Sequence, residues 1–123
     1  MKNFPDLKTP YRELSLEEIM NCMFGLKSFE TKIYIEIIDQ SPVTVNDLVK
    51  KFDKDRSTVQ RALQNLAMAR LIYREQKNIK NGGYYYVYNA APFDEVKATI
   101  KSSVRKWAEA VAAWVDGIKP KQS

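Results

Sequence analysis

The sequence predicts a mainly α-helical fold with one small β-hairpin and a long closing helix. Three observations carry that prediction. Apolar residues recur at helical spacing in four successive segments between 16 and 68. Two strand-like runs rich in tyrosine, RLIYREQ and YYYVYN, flank KNIKNGG. A stripe of large apolar residues then recurs at steps of three and four as far as Ile118.

Taken in order, residues 1–15 hold Pro5, Pro10 and unperiodic apolar groups, and read as an extended arm. Ser15 caps a first helix of about ten residues, with Glu17 and Glu18 where the helix dipole favours negative charge and Ile19, Cys22 and Met23 as its buried stripe. Gly25 breaks it, and Ser28 is placed to cap FETKIYIEIIDQ. That run contains β-branched residues, but Phe29, Ile33, Tyr34, Ile37 and Ile38 match a helix face. Pro42 excludes its predecessor from the helical region. Thr44 and Asp47 form the pattern of a capping box for a third helix, buried through Leu48, Val49 and Phe52. Asp55 is placed to cap a fourth, 56–68, with Val59, Ala62, Leu63 and Leu66 on its inner side.

Asn81-Gly82-Gly83 supplies the positive-φ residues of a hairpin turn. Alternation puts Tyr84, Tyr86 and Tyr88 on one face and Tyr85 and Val87 on the other, and both faces are expected to pack. The last helix is predicted over 92–118, with Pro92 in its first turn and a stripe of Phe93, Ile100, Val104, Trp107, Val111, Trp114 and Ile118 interrupted at Lys97. At ~1.5 Å per residue it is roughly 40 Å long, more than so small a domain needs for its own core. Gly117 and Pro120 terminate it, and 119–123 read as a tail.

Composition excludes several classes. A chain of 123 residues has room for one modest core. No apolar run approaches the ~20 residues of a membrane span, and no signal core opens the chain. The single cysteine, Cys22, fits a reducing, cytoplasmic setting and reads as packing. Without histidine there is neither the usual general base nor a His/Cys metal cluster. Glu17/Glu18 and Asp94/Glu95 are sequence neighbours that diverge on a helix, and no glycine-rich phosphate loop is present. Neither an enzyme nor a cofactor or metal site is expected.

The charge is unevenly placed. Residues 50–80 hold nine basic and three acidic groups, net +6, whereas residues 1–49 are net −3 and residues 81–123 net +2. That concentration suggests a polyanionic partner. The third and fourth helices, joined by FDKD, make a helix-turn-helix whose second member has the exposed polar face. With the hairpin added, the order is that of a winged helix-turn-helix.

FGLKSFETKIYIEII, with VTVNDLVKKFDKDRSTVQRALQNLAMARLIYRE, resembles the DNA-binding domain of MarR-type and TrmB-type transcriptional regulators. The resemblance covers residues 24 to about 90, and STVQRALQNL (57–66) is its most specific part. The last helix is similar in placement to the dimerisation helix of short archaeal members. Arg70 stands where such sequences commonly have glycine, and the separate sugar-binding domain of long TrmB proteins is not expected. The organisation implied is an arm (1–15), a winged helix-turn-helix DNA-binding domain (16–91), an amphipathic dimerisation helix (92–118) and a tail (119–123).

The residue chemistry agrees. A helix fits the major groove, where Arg56 and Arg61 suit guanine and Gln60 and Gln64 suit adenine. Ser57 and Thr58, at the helix N-terminus, suit phosphate oxygens, and Lys50, Lys51 and Lys54 add sequence-independent attraction. Lys77, Asn78, Lys80 and Asn81 on the wing are placed for minor groove or phosphate. Trp107 and Trp114 fit a dimer interface better than an effector pocket, for which nothing else speaks. The expected partners are duplex DNA and a second copy of the chain, with a pseudo-palindromic site. Against this stand a winged-helix protein-interaction module with little DNA binding and, further off, an RNA-binding winged helix.

Overall fold

The computed structural model describes residues 14–121. They form α1 (Leu16–Phe24), α2 (Ser28–Gln40), α3 (Val45–Phe52), α4 (Arg56–Met68), β1 (Ile72–Asn78), β2 (Tyr84–Ala90) and α5 (Phe93–Asp116). The predicted arm lies outside the described residues except for Leu14 and Ser15. Contacts divide the chain into one unit ending at Ala91 and another beginning at Pro92.

Short-range chemistry sets most helix ends. Ser15 Oγ accepts from the Glu18 N–H and Glu18 Oε1 from the Ser15 N–H, both at 3.1 Å, which satisfies two otherwise orphaned donors of α1. Gly25 ends α1 in the left-handed region, at φ 68°. The fully buried side chain of α1 is Met20, while Ile19, Cys22 and Met23 are only half-buried. A long flexible thioether fills a gap that the predicted stripe does not reach. In α2 the cap is Lys27, and the expected cap Ser28 is already helical. Glu30 Oε1 accepts the Lys27 N–H at 2.9 Å, so the acidic residue three places on replaces the hydroxyl. Glu30 also accepts from Asn65 Nδ2, which ties α2 to α4 and explains a carboxylate that is almost buried.

The first unit has one core. Ile33, Tyr34 and Ile37 of α2 meet Leu48 of α3 and Val59, Leu63 and Leu66 of α4, each at most 1% exposed. The Tyr34 hydroxyl and Thr31 Oγ1 are buried there without a hydrogen-bond partner, and burial pushes the Tyr34 phenol above its ordinary range. The capping box of α3 forms as predicted: Thr44 Oγ1 accepts from the Asp47 N–H at 3.1 Å and Asp47 Oδ2 from the Thr44 N–H at 2.9 Å. Asp53, left-handed at φ 52°, then starts the short turn into α4.

At the other end of α4 the Leu71 N–H donates to the Leu66 carbonyl (3.1 Å) and the Arg70 N–H to that of Ala67 (2.9 Å). This double closure needs a left-handed residue, and Arg70 adopts φ 62° to supply it. The turn is therefore made with arginine, at a backbone cost of roughly 1–2 kcal/mol.

β1 and β2 pair antiparallel from Ile72↔Ala90 to Asn78↔Tyr84. The strands run further toward the tip than the sequence suggests, so Lys77 and Asn78 belong to β1. Gly82 and Gly83 carry the positive φ of the turn, and Asn81 does not. Val43 adds a third, one-residue rung, exchanging hydrogen bonds of 3.1 and 2.7 Å with Tyr88. That rung anchors the hairpin to the start of α3.

In the second unit Pro92 is the cap of α5, not a residue of its first turn, and the helix stops at Asp116 before Gly117. Its 24 residues span about 36 Å. At the predicted interruption, Lys97 places its ammonium 5.4 Å from the centre of the Phe93 ring, and Val96 takes the buried position. Among the described residues, no helix is long and apolar enough to cross a membrane, and no group of His, Cys, Asp and Glu is arranged to hold a metal.

Candidate nucleic-acid interface

The inner side of α4 is used up by Val59, Ala62, Leu63 and Leu66, all buried. Helical periodicity then forces Arg56, Gln60 and Gln64 into one outward row and Ser57 and Arg61 into the next. All five are exposed, as are Lys50, Lys51 and Lys54 around the turn. The α2–α4 bond through Glu30 and Asn65 fixes how this face is presented.

Several of these side chains are already engaged. Arg56 Nη1 donates to Asn46 Oδ1, which holds its guanidinium toward α3. Lys51 pairs with Glu36 at 3.9 Å, and Lys54 lies 5.8 Å over the Phe29 ring, which itself stacks edge-on against Phe52. Asp55 sits at the cap position of α4. Its carboxylate accepts from the hydroxyls of Ser57 and Thr58, and those two bonds do most to hold its pKa down to about 2. An anion, the Asp55 carboxylate, thus already occupies both hydroxyl donors at the start of α4.

Toward the hairpin tip, Lys80 and Asn81 are exposed, Lys77 pairs with Glu75 at 3.4 Å, and Gln76 Nε2 donates to Asn78 Oδ1 at 3.2 Å. The tyrosines depart from the expectation that both faces pack: Tyr84 is 57% and Tyr85 47% exposed. The hairpin reaches past the core after its first rungs, and side chains beyond that point have nothing to cover them.

A trough of about 510 Å³ runs between α4 and the hairpin. Thr44, Val45 and Asn46 floor it, and Arg56 and Gln60 form the α4 wall. Arg74 with Tyr84, Tyr85, Tyr86 and Tyr88 forms the opposite wall. Sequence patterning does not single out Arg74 or the tyrosines as contact residues. Alternation places the even-numbered tyrosines together, but only the register, Arg74↔Tyr88, adds the arginine to their face. On α5, Trp114 is 70%, Ile118 54% and Val104 44% exposed, with Phe93 exposed and Ile100, Trp107 and Val111 half-buried.

A helix-turn-helix of α3 and α4, followed by a hairpin that borders the exposed face of the second helix, defines a winged helix-turn-helix protein. Residues 20–94 match the family model described as the sugar-specific transcriptional regulator TrmB, and the chain belongs to that family of transcriptional regulators. It is 44% identical over 113 residues to the uncharacterized protein MJ1503 of Methanocaldococcus jannaschii, covering 92% of this chain and 86% of the relative. Its fold is similar to that of a solved structure from Methanosarcina mazei Go1 named a possible transcriptional regulator. The TM-score is 0.76 at 23% identity, over 89% of this chain and 92% of that one. The structure of MarR is similar at a TM-score of 0.53 and 17% identity, over 81% and 73% of the two chains.

Proposed function

We propose that this chain is a cytoplasmic, sequence-specific regulator that binds duplex DNA as a homodimer. The observation that carries the reading is the outward face of α4, where Arg56, Gln60, Arg61 and Gln64 stand exposed beside a hairpin with a basic tip. In this reading α4 enters the major groove and those four side chains read base edges. Ser57 and Thr58 exchange the Asp55 carboxylate for a phosphate, and Lys50, Lys51 and Lys54 hold the backbone electrostatically. Lys77, Asn78, Lys80 and Asn81 meet the minor groove or its phosphates.

The stripe of Phe93, Ile100, Val104, Trp107, Val111, Trp114 and Ile118 pairs with that of a second copy. Trp114, exposed, and Trp107, half-buried, are the large, rigid side chains of the stripe that contribute most when covered. Two recognition helices then lie about one turn of DNA apart, roughly 34–36 Å or a multiple, on a pseudo-palindrome.

The test is fluorescence anisotropy of a labelled mixed-sequence duplex from about 50 to 200 mM salt, with sedimentation to measure assembly. Binding that falls steeply with salt, by a dimeric species, is expected. A chain that binds no duplex at the lowest salt would overturn the reading in favour of a protein-interaction module.

A further inference from the structure

The trough between α4 and the hairpin has the chemistry of an anion track. Its lining holds two guanidinium groups and no carboxylate. The one acidic residue of β1, Glu75, belongs to the opposite face of the hairpin and pairs with Lys77. Arg74 has no ion-pair partner among the described residues. Its guanidinium carbon lies 3.9 Å from the centre of the Tyr86 ring. Tyr84 packs edge-on against the same ring, with centroids 5.5 Å apart and planes at 68°.

The order Arg74–Tyr86–Tyr84 is therefore a preformed stack. Stacking occupies the flat face of a guanidinium and leaves its N–H edge for two parallel bonds to an anion, with little rotamer freedom left to lose. Across the trough stand Arg56, held by Asn46, and Gln60 of the row that faces outward from α4. In the DNA-binding reading, the trough lies beside the groove that α4 enters, open to a strand on that side.

We infer that the trough is a track for one DNA backbone, in which Arg74 grips a phosphodiester and Tyr86, backed by Tyr84, is the positioning residue that keeps the guanidinium flat. This rests on the DNA-binding reading and deepens it, since it moves a principal phosphate contact from the hairpin tip to its stem.

The test uses the full chain and the salt titration of a mixed-sequence duplex, with circular dichroism as a check on folding. Arg74→Gln is expected to weaken binding on the order of tenfold and to lower the magnitude of the salt slope by about one per protomer. Arg74→Lys keeps the charge, so the slope returns while only part of the affinity does. Tyr86→Leu leaves the slope unchanged and weakens binding severalfold, which separates positioning from charge. On the selected site, one methylphosphonate per half-site should weaken the wild type yet cost Arg74→Gln nothing further. Should Arg74→Gln misfold, Arg74→Lys and the methylphosphonate scan carry the test. Unchanged affinity and slope in folded Arg74→Gln would overturn the track while leaving DNA binding intact. No binding by the wild type would overturn the reading beneath it.

Discussion

Helices α4 and α5 are both amphipathic, and the two use their faces in opposite ways. In α4 the apolar stripe is spent inside the first unit, with Val59 and Leu66 at 0% exposure, and apart from Met68 at its last position what remains exposed is mainly polar and cationic. In α5 the large apolar residues are themselves what remains, Trp114 above all. Exposed polar groups are already satisfied by water, so α4 has no need of a partner and is free to select one by hydrogen-bond pattern. Exposed apolar area is unfavourable in proportion to its size, so α5 gains from being covered and discriminates mainly by shape. In the proposed function, the first helix serves specificity and the second assembly.

The largest effect should come from the buried side of α4. Leu63→Ala is expected to destabilise the chain by about 2–5 kcal/mol, read by chemical denaturation, because it opens a cavity in a fully covered site. Trp114→Asp should instead leave the melting of the first unit unaltered and weaken self-association by about 2–4 kcal/mol, read by sedimentation. Unfolding by the second variant, or dimer loss by the first without unfolding, would break the contrast between the helices.

On the outer side of α4, Arg61→Ala is expected to cost about 1–3 kcal/mol on the selected DNA site and to relax base preference there. Lys80→Ala on the wing should weaken all sequences alike, and equal losses on every sequence for both variants would remove Arg61 from the reading face. A smaller effect is expected at the start of the helix. Asp55→Asn removes the carboxylate charge beside Ser57 and Thr58 and, if those hydroxyls meet phosphate as proposed, should raise affinity for mixed-sequence DNA about three- to fivefold at low salt. Because the folded pKa of Asp55 lies below its ordinary value, its bonds to Ser57 and Thr58 are intact above that value. They are lost only as pH falls through about 2. Acidifying from pH 7 to 5 should therefore not reproduce the gain seen in Asp55→Asn. The smallest change is at the other end: Arg70→Gly relieves a left-handed arginine and should stabilise the fold by about 0.5–1 kcal/mol in thermal melts, net of the entropy glycine adds to the unfolded chain.

The outward face of α4 is legible in the sequence, because helical periodicity alone separates Arg56, Gln60 and Gln64 from Val59 and Leu63. The facing wall of the trough is not. Tyr86 and Arg74 are distant along the chain, and their stacking depends on how the two strands pair.

The amino-acid sequence by itself determined where the helices lie and how several of them begin. Those choices depend on contacts within four residues: the Ser15–Glu18 and Thr44–Asp47 boxes, the glycine after α1, and the 56–68 span of α4. Tertiary structure alone decided the Val43–Tyr88 rung, the Glu30–Asn65 tie, the left-handed turn at Arg70 and the stack of Arg74 on Tyr86. Each of these either joins residues that the pattern leaves unrelated or holds a residue against its local preference. Only the packing of the whole unit supplies the free energy for that.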